Sequence, residues 1–165
     1  MAASGFSRDF RGHDLIANVA KSYPTILWSR NTLMDMEVAF QNDRMRVFKG
    51  KVDLGPYYSS NRMFYVAFPL DENISGPKPW SSALVIHYPH NNHYWVDWLE
   101  TSEEVRRIGI ARELLAGIIE DLESPVIVSG ATEAGIALQK SLERTDLVKQ
   151  PRHTSGGYTI FLKGS

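Results

Sequence analysis

Apolar and polar positions along this chain follow two different periods. Between residues 63 and 99 the pattern is that of strands. Met63-Phe64-Tyr65-Val66-Ala67-Phe68 is dense in aromatic and β-branched residues and stops at Pro69, which predicts a strand. Ala83-Leu84-Val85-Ile86-His87-Tyr88 and Tyr94-Trp95-Val96-Asp97-Trp98-Leu99 predict two more. Pro89-His90-Asn91-Asn92 between them has the composition of a turn, so the three strands are expected to form an antiparallel meander. Asp71 to Pro79, with its glycine, prolines and polar residues, reads as a loop.

Beyond residue 100 the period lengthens. Ile108, Ala111, Leu114, Leu115, Ile118, Ile119 and Leu122 recur at three- and four-residue intervals, the single apolar stripe of a helix. That helix must end before Pro125. Val126-Ile127-Val128 then reads as a short, wholly apolar strand. A second helix is expected from Thr132 to Glu143, burying Ile136, Ala137, Leu138 and Leu142, and a closing strand over Tyr158-Thr159-Ile160-Phe161-Leu162 after the turn signal Ser155-Gly156-Gly157. A helix separates the third meander strand from the Val126 strand, and crossovers of that kind join parallel strands. The expected fold class is α/β: a mixed sheet with an antiparallel meander and a parallel strand pair, flanked by helices.

The first third is less regular. Asp14 to Ala20 fits a short helix ended near Tyr23-Pro24. Asn31 is placed to cap a second helix running through Leu33, Met34, Met36, Glu37, Val38 and Phe40. Arg44 to Asp53 alternates roughly and fits strand or helix.

Composition narrows the class. A length of 165 residues suits a single domain, 1–165, and 43% hydrophobic against 22% charged residues predicts a folded globule. Cysteine is absent, which excludes disulfides, zinc–thiolate sites, iron–sulfur clusters and cysteine nucleophiles. Eighteen basic residues against 19 acidic leave a net charge of −1, so no global field draws the chain to nucleic acid or an anionic membrane. No apolar run approaches the ~18 residues of a spanning helix. The first residues carry neither the apolar core of a secretory signal nor a glycine at the second position for myristoylation. A cytoplasmic protein is expected.

The segment that carries chemistry is Leu99-Glu100-Thr101-Ser102-Glu103-Glu104-Val105-Arg106-Arg107-Ile108-Gly109-Ile110-Ala111, which joins a strand end to a helix start. A helix N-terminus presents unpaired N–H groups and partial positive charge, and so can hold a phosphate. Gly109 and Ala111 keep bulk away from the backbone, so that an anion can approach the amides of Ile108 to Ala111. Arg106 and Arg107 add positive charge just before the helix. Together these features suit a diphosphate.

Arg106-Arg107-Ile108-Gly109-Ile110-Ala111 resembles the Arg/Gln-x-x-Gly-x-Gly/Ala acetyl-CoA signature of the GNAT N-acetyltransferase superfamily. Thr101-Ser102-Glu103-Glu104-Val105-Arg106 is similar to the histone-acetyltransferase branch in particular. The resemblance covers residues 63–165, the coenzyme-binding core; residues 1–62 match poorly and are assigned to the acceptor side. It implies a GNAT-like sheet whose parallel strands splay apart, and acetyl-CoA as cofactor. The pyrophosphate would lie on the amides of Arg107 to Ala111, and the pantetheine arm would pair with the strand end Leu99, Glu100 and Thr101. It also implies acetyl transfer to a primary amine by direct attack.

Such a transfer needs a neutral amine, a polarised thioester carbonyl and a proton for the leaving thiolate; a carboxylate or imidazole can serve as base, and strand N–H groups can stabilise the developing oxyanion. Strict alternation would set residues 93, 95, 97 and 99 on one face and 94, 96, 98 and 100 on the other. His93 falls where the histone-acetyltransferase branch keeps its glutamate base. Asp97 shares its face, lies nearer the thioester and has apolar neighbours that would raise a carboxyl pKa. Glu103 and Glu104 read as solvated loop charges. The family's usual acid, a tyrosine in the second helix, is missing: Thr132 stands at the asparagine position and Gln139 at the tyrosine position. Ser141 or Tyr158 is the substitute acid, or water protonates the thiolate.

Competing signals have blander readings. His87, His90 and His93 recur every three residues, yet a tight hairpin does not readily converge them on a metal. Trp80, Tyr88, Tyr94, Trp95 and Trp98 could stack nucleobases, but aromatics in a meander more often form core. Arg8, Arg11, Lys21, Arg30, Arg44, Arg46, Lys49 and Lys51 make the first third somewhat basic, a solvated face in preference to a nucleic-acid site. The expected partners are acetyl-CoA and an amine acceptor, with no membrane; a homodimer is compatible. The alternatives are a noncatalytic acyl-CoA-binding module, favoured by Gln139, and a transferase acting on a modified base or an aminoacyl-tRNA.

Overall fold

The computed structural model describes residues 21, 36–51, 61–70, 79–88, 93–105, 108–124, 126–129, 152–153 and 158–161. The helices expected over 14–20 and 132–143, the loop before Pro79 and the turn at 89–92 lie outside these residues, as do Arg106, Arg107, Gln139 and Ser141.

The strands are β1 (Glu37–Gln41), β2 (Met45–Lys51), β3 (Asn61–Pro69), β4 (Ser81–Tyr88), β5 (His93–Thr101), β6 (Val126–Ser129), β7 (Arg152–His153) and β8 (Tyr158–Phe161). A 3₁₀ turn (Glu103–Val105) and helix α1 (Ile110–Leu122) join β5 to β6. Among the described residues, one sheet takes all eight strands in the order β1-β2-β3-β4-β5-β6-β8-β7. The first five form an antiparallel meander. β6 runs parallel to β5 across the α1 crossover, and β8 is antiparallel to β6. The α/β mixed sheet is thus as expected, with the meander longer by two strands.

Those strands correct one expectation. Glu37 to Gln41 is strand, where the spacing of Leu33, Met34, Met36, Val38 and Phe40 suggested a helix. Met36, Val38 and Phe40 alternate as strand residues do; only when joined to Leu33 and Met34 does the run take on helical spacing, and pairing with β2 makes it strand. Arg44 to Asp53, readable either way, becomes strand over Met45–Lys51. β7, a two-residue strand, has no signal in the hydrophobic pattern.

Helix α1 lies on one face of the sheet. Its buried residues Ile110, Leu114, Leu115, Ile118 and Ile119 meet Val47, Tyr65, Ala67, Ala83, Val85, Val96 and Val128 in one core. Ile108 does not join them: it precedes the helix in a turn and is 51% exposed, against its predicted place on the apolar stripe. On the opposite face Phe48, Phe64, Val66, Phe68, Leu84, Ile86 and Ile127 are also buried, with Phe48 and Phe68 edge to face at 6.0 Å. Among the described residues, no helix is long and apolar enough to cross a membrane.

Candidate functional site

The parallel pair β5–β6 is short. Tyr94, Trp95 and Val96 pair with Val126, Ile127 and Val128, the last such pair among the described residues, while β5 continues to Thr101. On its other edge β5 carries a bulge at the same level: Leu84 pairs with Trp98 and Val85 with Val96, which leaves Asp97 as the extra residue. A bulge bends its strand and leaves the extra residue out of the ladder. Among the described residues, the extra residue of the β4–β5 ladder thus directly follows the last β5–β6 pair.

The bulge overturns the simple alternation along β5. Tyr94 and Val96 pack on the α1 core, and so does Leu99, three residues on; Leu99 therefore does not share a face with residues 93 and 95. One inserted residue inverts every position after it.

The far end of β5 is pinned. Ser102 N–H donates to the Trp80 carbonyl at 2.8 Å, and Val105 N–H to the Ser102 carbonyl at 3.1 Å. The buried Ser81 hydroxyl donates to the Glu100 carbonyl at 2.9 Å. Its one hydrogen is then committed, so the Thr101 hydroxyl donates to Ser81 Oγ, also at 2.9 Å. Beside it Ser82, fully buried and opposite Glu100, has an Oγ without a protein partner among the described residues; nothing in the hydrophobic pattern marks it.

From this pinned end the chain turns into α1. Ile108 N–H points back to the Val105 carbonyl at 3.4 Å. Gly109 is the N-cap, with φ +83° and no side-chain cap. The first helical bond of this turn is Glu113 N–H to the Gly109 carbonyl, 3.0 Å. The amides of Gly109, Ile110, Ala111 and Arg112 precede it and have no acceptor within the helix. The Ile108 amide, by contrast, is turned to the Val105 carbonyl. A Cβ at Gly109 would stand 3.3 Å from Arg112 Nη2, so this guanidinium lies over the glycine and adds positive charge to the amides. Sequence reasoning passed over Arg112; its position three residues after a helix-capping glycine was the available signal.

Glu113 sits in the same first turn. Its carboxylate pairs with the Arg44 guanidinium and accepts from Asn42 Nδ2 at 2.9 Å. Arg44 Nη2 also donates to the Ile108 carbonyl at 2.7 Å. Both Asn42 and Arg44 come from the β1–β2 hairpin.

The other predicted residues fall as follows. His93 starts β5 with its ring 6.4 Å from that of Trp95, four residues or roughly 13 Å of strand before Asp97. The two base candidates therefore cannot serve one reacting atom together. Tyr158 starts β8 and pairs with Ser129, the residue after the last β5–β6 pair. Its backbone lies at the level of Asp97, two strands away. Glu103 and Glu100 are exposed. His87 stacks on Tyr94 at 4.5 Å, and no group of three or more metal-ligating side chains occurs among the described residues.

No protein-family model matches the sequence, and none of the curated proteins matches it. Among solved structures the chain is similar to the crystal structure of nourseothricin acetyltransferase, at a TM-score of 0.40 and 15% identity, over 74% of this chain and 83% of that one.

Proposed function

We propose that this chain binds acetyl-CoA and transfers its acetyl group to a primary amine. The observation that carries the reading is the coincidence at Asp97: it follows the last β5–β6 pair among the described residues, the ladder to β4 slips there, and the same strand leads toward a glycine-capped helix start. The donor set fits the coenzyme. Amides 109–112 and the Arg112 guanidinium suit a diphosphate, and the β5 backbone beyond Val96 offers peptide groups to an amide-bearing arm. Bound acetyl-CoA supplies an activated acetyl thioester. The chain's own part is to hold the phosphates at the helix start, to fix the arm along β5, and to take a proton from the incoming amine. Asp97 is the candidate for that last task, with His93 the alternative and Tyr158 or Ser141 the candidates to return a proton.

Calorimetric titration with CoA tests the binding, and thiol release from acetyl-CoA over a panel of amines tests the transfer. Absence of any heat or shift in Tm with CoA rejects the reading. Tight CoA binding with no turnover on any amine favours a noncatalytic acyl-CoA-binding module, the alternative raised by Gln139.

A further inference from the structure

We propose that Arg44 is a positioning residue for the diphosphate cradle; the proposal rests on the coenzyme-binding reading above. The hairpin that presents it is closed on itself. Asn42 N–H donates to the Met45 carbonyl at 3.0 Å, while Asn42 Oδ1 accepts from the amides of Arg44 and Met45 at 2.8 and 2.9 Å. Leu70 N–H donates to the Arg44 carbonyl at 3.1 Å, which ties the turn to the end of β3. A rigid turn thus aims Arg44 at the first turn of α1, 69 residues away in sequence. There its guanidinium meets both Glu113 and the Ile108 carbonyl.

Two consequences follow for an anion at amides 109–112. Glu113 is an acid in the first turn; it steadies the helix start but repels a diphosphate placed there. Arg44 neutralises it. Second, in a trans peptide the C=O and N–H point in opposite directions, and no cis bond occurs among the described residues. Holding the Ile108 carbonyl toward the hairpin therefore turns the Gly109 N–H away from it. A glycine at φ +83° is free to rotate, so without this grip the first amide of the cradle has no fixed direction.

The test uses the full chain, with CoA and ADP as probes. Arg44→Gln is expected to weaken both by about tenfold, while Tm falls by no more than about 3 °C because the pair is partly exposed. Adding Glu113→Gln to Arg44→Gln is expected to recover at least about a third of that affinity by removing the unpaired carboxylate. In the ligand-free chain, hydrogen exchange at the bonded amides of Ile108 and Glu113 is expected to quicken in Arg44→Gln. Equal ADP affinity in wild type and Arg44→Gln, or a loss that Glu113→Gln does not relieve, overturns the proposal. If the wild type binds neither probe, the coenzyme reading itself has failed. Exchange then still judges the grip: faster exchange in Arg44→Gln supports it, and unchanged exchange refutes it.

Discussion

The ring of Phe40 occupies the place where Gly117 would carry a side chain: a Cβ there would lie 2.2 Å from the ring edge. Phe40 projects from edge strand β1 and Gly117 lies in the middle of α1, so this contact seats the helix on the outermost strand. Glycine inside a helix costs about 1 kcal/mol relative to alanine, and close approach of an aromatic ring is the return. Gly117→Val is expected to destabilise by about 2 kcal/mol through overpacking, read as a fall in urea midpoint. In a Phe40→Ala background the same change should cost far less, since the obstructing ring is gone.

Gly109 is the sharper test of the cradle. Its left-handed φ makes any L-residue there strained by about 1 kcal/mol. Gly109→Glu adds a carboxylate where the phosphates are proposed to lie. The variant should remain folded by circular dichroism and give no heat with CoA. Wild-type affinity in this variant would remove the helix start from the proposed site.

Asp97 and His93 make separable predictions because they stand at different heights on β5. Asp97→Asn is expected to lower kcat by at least about a hundredfold, the usual scale for loss of a general base, with CoA affinity retained. His93→Gln should change kcat little if Asp97 is the base. A reversed outcome would move the base toward the β4–β5 hairpin, and indifference to both would place it elsewhere, with residues 1–62 the next to search.

Tyr65 carries a pH-dependent part of the stability. Its hydroxyl donates to Asp121 Oδ2 at 2.7 Å, and Lys49, its cross-strand partner, reaches the same oxygen at 2.9 Å. Burial first, and the Asp121 carboxylate second, push the phenol far above its ordinary value of 10.0. The unfolded chain loses this proton from about pH 10 upward and the folded chain does not, so the contribution is intact below pH 10 and declines above it. Wild type should therefore lose more stability between pH 9 and 11 than Tyr65→Phe does. At neutral pH the same substitution should cost about 1 kcal/mol for the lost hydrogen bond. Equal slopes in the two proteins would contradict the assignment.

Much of the sheet was legible because its strands announce themselves locally. β3, β4 and β5 are short runs dense in aromatic and β-branched residues, α1 carries one apolar stripe at helical spacing, and Pro69 and Pro125 mark limits. β1 was misread because Met36, Val38 and Phe40, which alternate at the strand period, follow directly on Leu33 and Met34 and with them take on helical spacing; pairing with β2 marks the run as strand. The bulge at Asp97 escaped for a related reason. Alternation read from sequence assumes one residue per step, whereas an extra residue is a property of the pairing between β4 and β5. Arg44 looked like one of several solvated cations until the hairpin carried it to Glu113.

By itself, then, the order of residues determined the α/β class, the parallel crossover around α1 and the glycine at the helix start. Those are matters of local period, chain connection and the backbone freedom of a single residue. Tertiary structure decided the register of β5 on β4, which residue is inserted there, and which side chains meet the first turn of α1. Each of these depends on groups tens of residues apart meeting in space, and hydrophobic periodicity, a property of near neighbours along the chain, does not record such meetings.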